Sequence, residues 1–258
     1  NDYKIINTGT VSKYIDKWGI KEMTYLGNKY LFPVCSKNNF HKQFQNTYGK
    51  KANTPKLIIK GLTLLDVCID IKGDIIPGKS TLVIKNDNAI LLKMLLAFLN
   101  SHLPSFYLKE KYSSMTYNGG ITFTKDMFNE IPLPKFSEKE LTSFANLADL
   151  QVLNHSKLQS MSDNVYGLLK GDFKNISIKA SLSNWYDLDW RAFTDILRKQ
   201  KINLTGTLKE DWYDRFNRLS QEAKSLKSII DETDKQIDSF VYKLYGLTKD
   251  EIAEVEKK

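Results

Sequence analysis

Between Trp212 and Leu244 apolar residues recur every seventh position in two interleaved registers. Trp212, Leu219, Leu226, Thr233 and Phe240 form one; Phe216, Ala223, Ile230, Ile237 and Leu244 form the other. A stripe sustained over five repeats demands a helix of about 35 residues that buries one side along its whole length. Such a helix is about 50 Å long, and the "TLKE" box (Thr207, Glu210) is its expected start. Its simplest partner is an antiparallel helix over 137–170. There "SEKE" (Ser137, Glu140) forms a capping box, and Leu141, Phe144, Ala148, Val152, His155 and Leu158 follow at three- and four-residue spacing. Another box, "TKDE" (Thr248, Glu251), opens a short last helix.

Before Ser137 the period is different. "KLIIKGLTLLDVCIDIK", "STLVIKN" and "GGITFT" read as strands bounded by Gly, Pro, Asn and Asp. "NAILLKMLLAFLNSHLPSFYLKEKY" reads as a buried helix interrupted near Pro104. A short helix capped by Thr124 carries "KDMFNEI" into "PLPKF", the expected hinge. The fold class is therefore α+β: a mixed α/β domain over 1–136, then a long antiparallel, coiled-coil-like helical arm over 137–258.

Charge divides at the same place. Residues 1–136 hold 19 Lys, no Arg and 10 acidic residues, a net +9; the remainder holds 19 basic and 20 acidic residues, a net −1. Seventeen of the 30 aromatic residues also lie in the first half. Such asymmetry points toward a polyanionic partner, with a solvated lysine-rich surface as the alternative. No apolar run approaches the ~20 residues of a membrane span, and the N-terminus lacks the pattern of a signal peptide. No membrane partner is expected. Cys35 and Cys68 lie outside any C-x-x-C pair and read as core residues of a reducing, cytoplasmic protein. The missing initiator Met points to a piece of a longer chain.

"GDIIPGKST" (Gly73 to Thr81) satisfies the P-loop pattern G-x-x-x-x-G-K-[ST]. A phosphate cradle needs a helix immediately after it. The following "TLVIKNDN" is a β-branched run halted at Asn86, so the stretch reads as a hairpin or bent loop between strands. A nucleotide hydrolase dependent on Lys79 is thereby the weaker reading. No S-adenosylmethionine glycine loop and no Asn/Asp-Pro-Pro-aromatic tetrad is present. His41, His102 and His155 share no motif, and His155 falls on a core position. No catalytic residue, metal ligand or cofactor site is assigned in this chain.

Two loops, Ser36 to Lys56 and Leu108 to Thr122, combine Lys with amides, hydroxyls and aromatics. Lys37, Lys42, Lys50, Lys51, Lys79, Lys109 and Lys111 are the phosphate candidates, since ammonium groups supply salt-sensitive attraction to a nucleic-acid backbone. Asn38, Asn39, Gln43, Gln45, Tyr112, Ser114, Tyr117 and Asn118 are candidates for base contacts, because amides pair bidentately with adenine and hydroxyls accept or donate to either edge. Polar surface loops without a partner have the same composition.

Several segments together resemble the TaqI-like C-terminal specificity domain of adenine-N6 DNA methyltransferases and type IIG restriction–modification enzymes. They are "NTGTVSKYIDKWGIK", the strands "PKLIIKGLTLLDVCIDIKGDIIPGKSTLVI", the "LLKMLLAFLNSHLPSFYLKEKY" helix with its Leu-Asn-Ser, and the "FNEIPLPKF" exit. "DWRAFTDILRKQKINL" and "DKQIDSFVYKLYGLTKDEIAEVE" are similar to the helical tail that follows such domains. The resemblance implies sequence-selective binding of double-stranded DNA. It places methyl transfer with S-adenosylmethionine, and Mg-dependent cleavage where a nuclease is fused, in an N-terminal methyltransferase/endonuclease part of the same protein. A type I restriction specificity subunit shares the Ile-Pro-Leu-Pro segment and long helices, but usually carries two recognition domains, and no internal repeat is visible here. A helical assembly module with an incidental basic surface is the alternative from another class.

Overall fold

The computed structural model describes residues 2–50, 52–63, 65–78, 80–113, 116–117, 120–178 and 180–257. It is mixed α and β, with small sheets confined to the first 122 residues and long helices after them. The strands are β1 (Asp2–Ile6), β2 (Met23–Tyr25), β3 (Asn28–Tyr30), β4 (Val34–Ser36), β5 (Lys56–Lys60), β6 (Leu62–Thr63), β7 (Val67–Asp70), β8 (Ile75–Pro77), β9 (Thr81–Lys85), β10 (Thr116–Tyr117) and β11 (Gly120–Thr122). The helices are α1 (Lys37–Gln43), α2 (Thr47–Lys50), α3 (Ala89–Asn100), α4 (His102–Lys111), α5 (Lys125–Asn129), α6 (Glu138–Asp172), α7 (Trp190–Lys199), α8 (Gly206–Tyr245) and α9 (Lys249–Glu256).

The chain forms two compact units, one of residues 1–152 with 233–258 and one of residues 153–232. This differs from the division at Phe136 expected from the change of period. The reason is that a change of secondary structure is not a change of core. The first turns of α6 and the last turns of α8 bury Phe144, Ala148, Ile237 and Val241 in the same cluster as Leu57 of β5 and Leu96 of α3. "PLPKF" consequently lies within the first unit and joins no two units; the Tyr245 hydroxyl donates to the Pro132 carbonyl there.

In the first unit β5 is the centre of the order β7-β5-β9, antiparallel to both neighbours. Its apolar run is buried on both faces. Leu57 and Ile59 meet α3, while Ile58 joins Ile6, Val11, Cys68 and Ile75, the alternation that a pleated strand imposes. Cys68 is buried and Cys35 half-buried, both as free thiols. The buried Lys56 ammonium lies 2.8 Å from Asp70 and donates to the Ala52 and Thr54 carbonyls. Asp70 in turn accepts from the Asp74 and Ile75 amides, so the pair is hydrogen-bonded on both sides, as a buried charge requires. In the Leu-Asn-Ser segment, the buried Asn100 side chain exchanges two hydrogen bonds with the Val67 backbone. That ties α3 to β7.

One expectation narrows and two change. β8 pairs in parallel with β1 whereas β9 pairs with β5, so of the two readings of "GDIIPGKST" the bent loop between strands holds and the hairpin does not. The helix pair α3–α4 bends by 61°, and its break is at Ser101, before Pro104. Proline then sits in the first turn of α4, where a missing N–H leaves no carbonyl unpaired. Finally, α8 starts at Gly206, whose φ of +55° sets the entry, so Thr207 is already inside the helix and is not its cap. The Ser137–Glu140 and Thr248–Glu251 boxes and the Thr124 cap form as expected.

All ten heptad residues of α8 are buried or half-buried. Within the first unit Phe144 packs edge-on to Phe240, centroids 4.7 Å apart, and Gln151 donates to Asp234. Within the second, Asp172 accepts from the Trp212 indole at 2.9 Å. Rising numbers on α6 meet falling numbers on α8, the antiparallel pairing expected. The second unit is otherwise an aromatic core of Trp185, Tyr186, Phe193, Trp212 and Phe216, with α7 capped by Asp189. No single helix among the described residues is long and apolar enough to cross a membrane.

Candidate nucleic-acid interface

The stretch after β4 is helical rather than a loop. β4 pairs antiparallel with β1, Asp2 opposite Ser36, and α1 starts at the next residue. Phe40 turns inward and packs edge-on to Tyr3 at 5.2 Å, with Phe44 and Tyr48 continuing the stack at 4.9 and 5.7 Å. The Tyr3 hydroxyl and His41 Nε2 are 2.8 Å apart, which fixes a second side of the helix. What remains outward is Asn38, Asn39, Lys42 and Gln43, all exposed. Residues 38 and 42, and 39 and 43, are one turn apart, so the two amides, the ammonium and the third amide share one face.

Asn46 caps the short α2 by accepting from the Tyr48 and Gly49 amides, which leaves Lys50 exposed at its end. Gln45 is exposed too, its amide donating to the Lys42 carbonyl. Lys37 is engaged elsewhere. Its ammonium lies 2.7 Å from Asp74 and over the Tyr3 ring. The hydrogen bond holds the Lys37 proton more tightly than usual and lowers the Asp74 pKa.

The other candidates sit at the end of α4. Lys111 is 2.7 Å from Glu130 and donates to the Tyr107 hydroxyl, while Tyr112 donates to the same carboxylate at 2.6 Å. Glu130 raises the pKa of both Lys111 and Tyr112, and its own falls in return. Lys109 is half-buried. Lys51, Lys79, Ser114 and Asn118, and the side chain of Tyr117, lie outside the described residues. The candidates are thus divided between the sheet β4-β1-β8 with α1 and the α4–α5 surface. Lys42 and Lys50 carry no ion pair among the described residues, whereas Lys37 and Lys111 do.

Two features went unread in the sequence. One is the β2–β3 hairpin, with exposed Tyr25, Leu26, Tyr30, Leu31 and Phe32. The charge of its surroundings is legible, seven Lys and no Asp or Glu from Met23 to Lys60, but Leu26-Gly27 is not a favoured turn pair. The other is His102 with Asp238. The buried carboxylate accepts from the His102 backbone N–H at 2.8 Å and lies 2.6 Å from its Nδ1, capping α4 and holding the imidazole together. That hydrogen bond raises the His102 pKa against the opposing effect of burial. Residues 136 apart on different helices give no sequence signal.

Among the described residues no three His, Cys, Asp or Glu side chains gather as a metal site. The loop around Gly78 is followed by β9 and not by a helix. Its backbone is already occupied: Gly78 N–H donates to Ile6, and the Thr81 and Thr8 hydroxyls donate to the Gly78 and Ser80 carbonyls. The loop accordingly lacks the helix N-terminus of a phosphate cradle.

Residues 137–241 match the model of a family described as a Domain of unknown function (DUF8810). The matched stretch runs from the Ser137 cap of α6 to Val241 in α8 and omits the α1 face. No curated protein matches the chain.

Proposed function

We propose that this chain reads duplex DNA as the specificity part of a restriction–modification enzyme whose methyl transfer is carried out elsewhere in the parent protein. The observation that carries the reading is the solvent face of α1. Asn38, Asn39 and Gln43 are held outward by a buried Phe40, beside Lys42, whose ammonium makes no ion pair among the described residues. Exposed amides on a short, anchored helix suit base edges in a major groove, which admits a helix. Lys42 and Lys50 suit the flanking phosphates. The motif resemblance and the excess lysine of the first half support the same reading.

In this reading target recognition resides in the first unit, and the α6–α8 arm braces it or docks on the methyltransferase part. S-adenosylmethionine, and Mg where cleavage occurs, belong to that other part. Selection of a randomised duplex library on the chain at two salt concentrations tests the reading. Enrichment of one short motif that survives the higher salt is the expected result. Retention that is blind to sequence and vanishes with salt would reduce the interaction to phosphate attraction. No retention at low salt would overturn it.

A further inference from the structure

Every residue from 24 to 32 is exposed, and the β2–β3 hairpin forms a two-stranded sheet of its own. Its base is nonetheless fixed. Trp18 meets Phe32 edge-on at 5.1 Å and donates to the Pro33 carbonyl, Gly19 N–H donates to Leu31, and the Asn7 amide donates to Thr24. Gly19 has φ +77°, and a Cβ there would meet the Phe32 ring at 2.7 Å, so the seat is closely fitted. The tip is different. Tyr25 pairs with Asn28, leaving Leu26 at φ +48° and Gly27 at φ +80° as the central residues. That is the primed turn a tight hairpin requires.

Such turns favour Asn, Asp or Gly at the first central position, because a short polar side chain or none tolerates the left-handed backbone. Leucine supplies neither advantage. It is 82% exposed, and Tyr25 beside it is 60% exposed. An apolar side chain held in water on a strained backbone gains nothing in the free protein, and such strain clusters where a ligand is engaged.

We infer that Leu26 is a wedge that enters a base step of bound duplex DNA, with Tyr25 stacking beside it. The inference rests on the DNA-reading function proposed above. Charge complementarity selects the occupant: from Met23 to Lys60 there are seven Lys and no acid, and although Lys29, Lys37, Lys56 and Lys60 are paired with Glu22, Asp74, Asp70 and Asp66, Lys42 and Lys50 are exposed and carry no ion pair among the described residues. A lipid surface also attracts lysine and leucine, but it has no use for the amide face of α1, only one residue beyond β4. Apolar wedges of this kind unstack a step and kink the duplex, most readily at pyrimidine–purine steps.

The test places 2-aminopurine, whose fluorescence rises on unstacking, in turn along the duplex enriched in the selection, or along a mixed-sequence duplex if retention is sequence-blind. The full chain is expected to raise the signal at one step. Leu26→Gly, which suits the turn backbone and so should fold, is expected to abolish that rise. It should weaken binding about 5- to 100-fold, the span of one lost stacking contact; Leu26→Phe should retain both. Binding without any rise, or an unchanged rise with Leu26→Gly, would overturn the wedge and leave DNA reading standing. Absence of duplex binding would overturn both. Leu26-dependent retention on phosphatidylserine–phosphatidylcholine vesicles, without a fluorescence rise in DNA, would reassign the hairpin to a lipid surface.

Discussion

The two compact units treat their aromatic residues in opposite ways. In residues 153–232, Trp185, Trp212, Phe193 and Phe216 are all at or below 3% exposure and stack on one another, Phe193 and Phe216 at 4.5 Å. In the first unit Tyr25, Tyr30, Phe32, Phe44 and Tyr48 lie open to solvent within 24 residues of sequence. The charges differ as well. All four Arg are in the second unit, with Arg215 and Arg218 paired to Asp172 and Glu222, whereas the first unit has only Lys, some paired, as Lys37 and Lys111 are, and two, Lys42 and Lys50, without an ion pair among the described residues. Burial of aromatic rings is the favourable default. The segment that departs from it, Met23 to Lys60, has no carboxylate of its own, although Glu22, Asp74, Asp70 and Asp66 pair with four of its lysines; the proposed DNA contact is placed there.

The comparison breaks most severely if the aromatic core is not structural. Trp212→Ala removes a buried indole, its hydrogen bond to Asp172 and the Arg215 guanidinium above it. It should cost about 3–5 kcal/mol in chemical denaturation and leave DNA affinity of the folded protein unchanged. A loss of affinity without a loss of stability would move the contact surface to the second unit. Next in size is the double substitution Lys42→Ala, Lys50→Ala. It should lower the magnitude of the logarithmic salt slope of DNA binding by about two, roughly one for each phosphate contact, with the melting temperature hardly altered.

Leu26→Gly sharpens the contrast from the stability side. Relief of the left-handed leucine should raise the unfolding free energy by up to about 1 kcal/mol while binding weakens. Gains in both would show that the exposed tip has no partner. The smallest effect is on pH dependence. Asp238 raises the His102 pKa above its ordinary 6.5, with Asp234 adding to the rise and Lys13 opposing it. A raised native pKa means that the stabilisation is fully present below the ordinary histidine value and is lost as pH rises through the higher native one. His102→Gln should therefore flatten the fall in stability above pH 6.5. A parallel curve would show that the imidazole stays neutral.

Much of the helical half was legible because its signals are periodic and local. Ten heptad positions, two capping boxes and the Thr124 cap needed only nearest turns to form. The Pro104 break and the Thr207 start were misplaced by a few residues for an equally local reason: proline is harmless in a first turn, and Gly206 had already opened α8. The candidate interface was legible in part. Asn38, Asn39, Lys42 and Gln43 were named from composition, but their placement on one helix face depended on Phe40 finding Tyr3, 37 residues away. The hairpin was missed because Leu-Gly is not a turn pair that propensity favours.

By itself the sequence determined the α+β class, the lengthwise pairing of α6 with α8, the lysine excess of the first half and the strand after "GKST". Each follows from residue type and spacing over a few turns. Only the tertiary structure decided that α6 and α8 complete the core around β5, that β8 and β9 join different sheets, and that Lys37 and Lys111 are held by carboxylates. These outcomes depend on which distant surfaces meet. Burial and charge pairing are properties of the assembled core, and no local pattern encodes them.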